Sequence, residues 1–194
     1  MHYSMVSQSI SSNSNQANVF LELDKPQWQA DRGTISSREF RASMPREPRM
    51  LIGISPYISP ELLTAIHRMG HGDEIVLSDA FFPGDTFSQR VIRADGIGIP
   101  DLLDGILRLI NIDDFVDDPV IMMEAVPGDS LDPEVEKSYR AEIDRHWPAT
   151  PPIRRIERYA FYERARRAYA VVVTGQRVKY GNIILKKGVV PVAG

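Results

Sequence analysis

Cysteine is absent from this 194-residue chain. That removes disulfides, thiolate nucleophiles and cysteine-ligated metals, and it suits a reducing compartment. Histidine is sparse, at His2, His67, His71 and His146, and no pair has the spacing of a helical zinc site such as H-E-x-x-H. Apolar runs fall well short of the ~20 residues of a membrane span, and the N-terminus carries no apolar signal core. A glycine-rich nucleotide loop is missing too. Gly96-Ile97-Gly98 has no third glycine and follows an acid, which disfavours a Rossmann or P-loop reading. The formal charge of -3 gives no reason to expect nucleic acid or an anionic membrane as a partner. Six arginines do cluster between Arg154 and Arg167, but Glu157 and Glu163 interrupt them. A solvated, ion-paired face is the expectation there. No metal, cofactor, nucleic acid or membrane is expected, and the chain reads as a soluble cytoplasmic protein.

What is present divides the chain in two. Residues 1–49 hold SQSISSNSNQAN and scattered polar groups, with Val19-Phe20-Leu21 as a short apolar cluster. Such a segment buries too little to offset the entropy of ordering, so a disordered extension is expected, either a tail or a product of start-codon assignment. Residues 50–194 are strongly patterned and expected to form a single domain, consistent with 43% hydrophobic residues overall.

Punctuation within the patterned part is clear. Ser59-Pro60-Glu61 and Asp132-Pro133-Glu134 each offer a capping residue, a proline at the first helical position and an acid in the first turn. The first predicts a helix through Leu62, Leu63, Ile66 and Met69, stopping at Gly70. The second predicts a charged helix to about Arg145. Further helices are expected from Pro100 to Ile110 and over 159–168. Strands are expected over 74–78, 91–94, 120–126, 154–157, 169–174 and 183–187, with 79–88 a loop and Gly128-Asp129 a turn. This alternation argues for an α/β fold, a three-layer sandwich with helices flanking a central, largely buried mixed sheet.

The stretch Met69 to Pro83, MGHGDEIVLSDAFFP, is the most informative. Gly70 and Gly72 permit a sharp turn and leave His71 uncrowded. Ile75-Val76-Leu77 is long enough for one buried strand and delivers Asp79 to its C-terminal edge, where α/β proteins bind ligands. An imidazole and a carboxylate suit proton transfer at neutral pH. A helix cap, a strand and an ordinary turn would account for the same residues. Arg158, Tyr162 and the Tyr180-Gly181-Asn182 turn also stand beside apolar strands. Singly, they read as a surface cation, a core ring and a plain turn. Together with Asp79 they suit a carbohydrate, which needs carboxylate, amide and guanidinium groups for its hydroxyls and an aromatic face for its ring.

In order, the segments ISPELL, MGHGDEIVLSDAFFP, VIRADG, IMMEAV, GDSLDPEVE, YAFYERA and TGQRVKYGNIILKKGV resemble the family of ribose pyranases and fucose mutarotases, over roughly three quarters of the chain. GHGDE, VIRADG and YGNIIL are closer to the fucose branch. The resemblance implies that His71 is the acid/base histidine, and that Asp79, Arg158, Tyr180, Gly181 and Asn182 bind substrate; Tyr162 is added on its chemistry. One departure is Phe82, where the family more often has histidine.

The reaction implied is interconversion of anomers, probed most directly with L-fucose. A proton leaves the anomeric hydroxyl, one reaches the ring oxygen, and the open aldehyde recloses on its other face. Alternatives are a pyranase that exchanges pyranose and furanose forms, a non-catalytic sugar-binding or transport-accessory protein, and a structural ring former. A five-residue strand separates His71 from Asp79 by roughly 16 Å at ~3.3 Å per residue. The resemblance implies ring-like homo-oligomers with sites near subunit contacts, so a neighbouring subunit is expected to supply one of the two groups.

Overall fold

The computed structural model describes residues 51–190; the extension expected over residues 1–49 lies outside them. The element order is α1 (Pro60–Arg68), β1 (Glu74–Ser78), α2 (Gly84–Phe87), β2 (Val91–Ala94), α3 (Ile99–Leu107), β3 (Val120–Met123), α4 (Pro133–His146), β4 (Arg154–Ile156), α5 (Arg158–Arg167), β5 (Ala170–Thr174) and β6 (Ile183–Lys186). Local chemistry sets the helix starts. Ser59 accepts from the Leu62 amide at 3.1 Å, Asp132 from Glu134 at 3.0 Å, and Glu157 from both Tyr159 and Ala160. Each satisfies donors that a first helical turn leaves without partners.

The six strands form one sheet in the order β2-β5-β1-β6-β3-β4. β1 pairs parallel with β5, β5 with β2, and β3 with β4, whereas β6 runs antiparallel to both its neighbours. All strands except β6 therefore point the same way, and their C-terminal ends share one edge with the start of β6. Side-chain alternation sends successive residues to opposite layers. Ile75, Leu77, Val172, Met122 and Leu185 pack with α1, α3 and α4 on one face. Val76, Val171, Val173, Ile121 and Ile184 pack with Phe82, Phe161 and Ala165 on the other. This is the expected three-layer arrangement with a mixed sheet. Burial of each such aliphatic side chain contributes about 1.5–3 kcal/mol.

Three local expectations differ. β3 ends at Met123 rather than Val126, because Glu124 is exposed and the chain turns there toward Gly128. The stretch expected as a loop over 79–88 contains the short helix α2, held by packing; a Cβ on Gly84 would sit 2.7 Å from Val173. The turn after α1 takes its positive φ at Gly72 (83°), while the Gly70 amide donates to the Asp73 carboxylate at 2.7 Å. Among the described residues no helix is long and apolar enough to cross a membrane. Much of the arginine cluster is ion-paired: Arg154 with Asp118, Arg155 with Glu136, Arg164 with Glu74 and Asp118, and Arg166 with Glu163.

Candidate functional site

The shared strand edge gathers most of the candidate residues. Asp79 follows β1, Met123 ends β3, Arg158 opens α5 just after β4, and Asn182 immediately precedes β6. With Phe81, Phe82, Tyr162, Lys179 and Tyr180 they line a cavity of about 370 Å³. That is at the small end of ligand sites, which run ~300–1,000 Å³, and it suits a single small ring. A larger groove of about 510 Å³ runs along α4, but its charges already pair with one another, Arg155 with Glu136 and Arg140 with Asp144.

Asp79 and Asn182 form the polar floor. Each is 3% exposed. The Asn182 Nδ2 donates to Asp79 Oδ2 at 2.9 Å, and its Oδ1 accepts from the Asp79 amide at 2.9 Å. The Phe81 amide donates to Oδ1 of Asp79 at 2.9 Å. A carboxylate has about four lone-pair positions, so acceptor capacity remains for a ligand's hydroxyl. Burial pushes the Asp79 carboxyl above its ordinary value, against the opposing pull of the Phe81, Asn182 and Phe82 contacts.

An aromatic wall faces this floor. Phe82 is buried, with ring centroids 5.6 Å from Tyr162 and 6.1 Å from Phe161, and Tyr162 stacks on Phe87 at 4.5 Å. Edge-to-face and stacked pairs of this kind lock ring positions. Phe82 is thus packed into the wall while still lining the cavity. Arg158 bridges floor and solvent: its Nη2 donates to the Tyr159 hydroxyl at 3.0 Å, while its Nε is shielded and has no hydrogen-bond partner among the described residues.

The Tyr180–Asn182 turn is held by more than its own sequence. Tyr180 adopts φ 60°, a left-handed conformation that costs a residue with a Cβ roughly 1–2 kcal/mol. Gly181 is buried and does not line the cavity; its carbonyl accepts from the Tyr139 hydroxyl of α4 at 2.9 Å, and a Cβ there would lie 3.0 Å from the Val178 carbonyl oxygen. Gly181 also has a structural part: its carbonyl lets Tyr139 pin the turn. Burial, then the nearby Asp79 charge, drives the Tyr139 phenol upward, so it stays a donor.

His71 is not in this cavity. It sits at the opposite end of β1, half-exposed, with Nε2 3.3 Å from Oδ1 of Asp113. Asp113 is 3% exposed and also accepts from the Phe115 amide at 3.1 Å. The exposed Phe115 ring meets the imidazole edge-on at 5.8 Å. Asp113 is the group that sequence reasoning missed; it lies 42 positions from His71, and only the β6 ladder brings them together, through Lys186 and Lys187. Lys179, Met123 and Tyr139 were missed for the same reason. Among the described residues, Asp104, Glu142 and His146 could offer three donors to a metal. Arg108 and Arg145 already pair with those carboxylates, so the group reads as an ion network joining α3 to α4.

Residues 52–190 match the model of the RbsD / FucU transport protein family. The chain belongs to that family. An L-fucose mutarotase of Actinobacillus pleuropneumoniae is 59% identical over 143 residues, covering 74% of this chain and 99% of that protein. One from Histophilus somni is 57% identical over the same length. The structure of the fucose mutarotase of Streptococcus pneumoniae in complex with L-fucose superposes with a TM-score of 0.70 at 46% identity, covering 73% of this chain and 100% of that one. Bacillus subtilis RbsD complexed with D-ribose, at 20% identity and a TM-score of 0.54, shares the fold. The RbsD / FucU membership thus spans every described element.

Proposed function

We propose that the protein is an isomerase, a sugar mutarotase that interconverts the α and β anomers of L-fucose. The observation that carries this reading is the buried Asp79–Asn182 pair facing an aromatic wall, in a cavity sized for one monosaccharide. The relatives named as L-fucose mutarotases support the substrate.

Asp79 and Asn182 hold sugar hydroxyls, Arg158 donates to an oxygen, and Tyr162 with Phe82 covers the apolar face. Tyr180 meets a hydroxyl at the rim. His71 transfers the protons, with Asp113 fixing its ring through Nε2 and leaving Nδ1 as the nitrogen Asp113 does not engage. One proton leaves the anomeric hydroxyl and one arrives at the ring oxygen. The C1–O5 bond opens, the aldehyde turns, and the reverse transfers close it on the other face, with no change of oxidation state. Because β1 separates His71 from Asp79 by roughly 16 Å, the histidine of one copy serves the cavity of its neighbour, and the exposed Phe115 beside it belongs to that contact. The working unit is accordingly a homo-oligomer.

Exchange NMR on the anomeric protons of L-fucose tests this directly. Magnetisation transfer between anomers should accelerate with enzyme, and ribose run in parallel separates ring-size exchange from anomer exchange. Fucose binding without accelerated exchange would overturn the enzymatic reading in favour of a binding protein.

A further inference from the structure

Tyr180 lines the cavity, and its hydroxyl meets a residue that does not. Its Oη donates to Oδ2 of Asp129 at 3.0 Å, and the same oxygen receives the Lys179 ammonium at 2.6 Å. Asp129 lies in the β3–α4 turn, where Gly128 takes φ 86° and the Ser130 amide donates to the other carboxylate oxygen at 2.9 Å. The carboxylate is thus aimed from both sides. On the far side of Tyr180, the Tyr139 hydroxyl holds the Gly181 carbonyl and Asn182 is locked to Asp79. A tyrosine in a left-handed conformation persists only where its surroundings over-determine it. Of these restraints, the Asp129 contact acts on the phenol hydroxyl, while the Lys179 ammonium lies 5.9 Å from the ring centroid.

A phenol has one proton. Given to Asp129, it cannot be given to the sugar, so toward the cavity the Tyr180 oxygen carries lone pairs alone. We propose that Asp129 is a positioning residue that makes Tyr180 an acceptor for a hydroxyl of the bound sugar. The inference rests on the mutarotase reading above and specifies the direction of one hydrogen bond in that site. Tyr180 receives the sugar's O–H, orienting that oxygen's lone pairs for the proton transfers, while Lys179, tied to the same carboxylate, closes the rim. The Lys179 ammonium, followed by the Ser130 amide and the Tyr180 hydroxyl, holds the Asp129 carboxyl down to about 2, so it remains an ionised acceptor throughout the range in which sugars are assayed. As an ion pair alone the contact would matter little, since exposed Lys–Asp pairs contribute little to folding.

A double-mutant cycle on the full chain, read by L-fucose anomer exchange, isolates this role. Asp129→Ala should lower kcat about 10-fold or more, the scale of a small misorientation in a site, with KM changed far less. Asp129→Asn keeps an acceptor oxygen and should retain most of the activity. In a Tyr180→Phe background, Asp129→Ala should cost nothing further, because the group it orients is gone. Melting temperature should stay near wild type in all three, and fucose binding should stay near wild type in the two single Asp129 variants. An Asp129→Ala enzyme with wild-type kcat, equal losses in Asp129→Asn and Asp129→Ala, or an undiminished loss in the Tyr180→Phe background would each overturn the role. Absence of fucose exchange in the wild-type chain would instead refute the mutarotase reading, so the two failures are distinguishable.

Discussion

The two ends of β1 are built to opposite specifications. At the C-terminal end, Asp79 and Asn182 are buried and hydrogen-bonded to each other, and an aromatic wall faces them. At the N-terminal end, His71 is 49% exposed and Phe115 76%, with only the Asp113 carboxylate buried behind them. One end is finished within a single chain: its polar groups have partners and its rings are packed. The other presents an imidazole and an unburied aromatic ring at the surface. Binding geometry needs rigid, prepaid order, which a sheet edge supplies locally. On the function proposed above, proton transfer falls to a group that reaches a sugar bound on another copy, which suits a position outside the packed core.

Replacing His71 should produce the largest separation of the two ends. His71→Asn is expected to slow anomer exchange by ~10²–10⁴-fold while fucose affinity, measured by calorimetry, changes little. Near-normal exchange would reduce His71 to part of a turn. Mixed oligomers of His71→Asn and Asp79→Ala subunits should then recover part of the wild-type rate, because some sites pair an intact histidine with an intact cavity. A verified mixture with no recovery would place both groups in one subunit.

Asp79→Asn should act the other way, weakening fucose binding by about 10–100-fold, the scale of a lost charge-assisted hydrogen bond of ~1.5–3 kcal/mol. If affinity holds and only turnover falls, the floor is part of the proton path and the division between the ends is wrong. Asn182→Ala tests the same end through stability. It strips partners from the buried Asp79 amide and carboxylate, and chemical denaturation should show a loss of about 1–3 kcal/mol; a neutral result would mean that water replaces the amide at no cost.

The smallest effect is expected beside His71, at Glu74. Burial alone would raise its carboxyl, but Arg164, at 2.7 Å, and Lys186, at 2.8 Å, hold it below the usual glutamate value. A depressed folded-state pKa means that the unfolded chain binds the proton more readily, so this contribution is present above the ordinary glutamate pKa and fades as pH falls through the lower folded value. Glu74→Gln should therefore flatten the acid side of the pH–melting profile while leaving fucose affinity at the far end untouched. A profile identical to wild type would show that the cluster contributes nothing net, as partly buried ion pairs sometimes do.

The sequence by itself determined the order of the elements other than α2. Serine or aspartate caps before proline, apolar triplets such as Ile75-Val76-Leu77 and glycine punctuation act over a few residues, where local sterics and hydrogen bonding decide the outcome. It also named the residues that share the cavity, Asp79, Arg158, Tyr162, Tyr180 and Asn182, through chemistry and family resemblance. Tertiary structure alone decided the rest. That β6 runs antiparallel between β1 and β3 places Asn182 against Asp79 across 103 positions and Asp113 against His71 across 42. No local pattern encodes such pairings, because they follow from which strand edges meet when both faces of the sheet are buried at once. The same holds for Gly181, whose carbonyl accepts from the Tyr139 hydroxyl, since a glycine's surroundings depend on what approaches it from elsewhere in the fold.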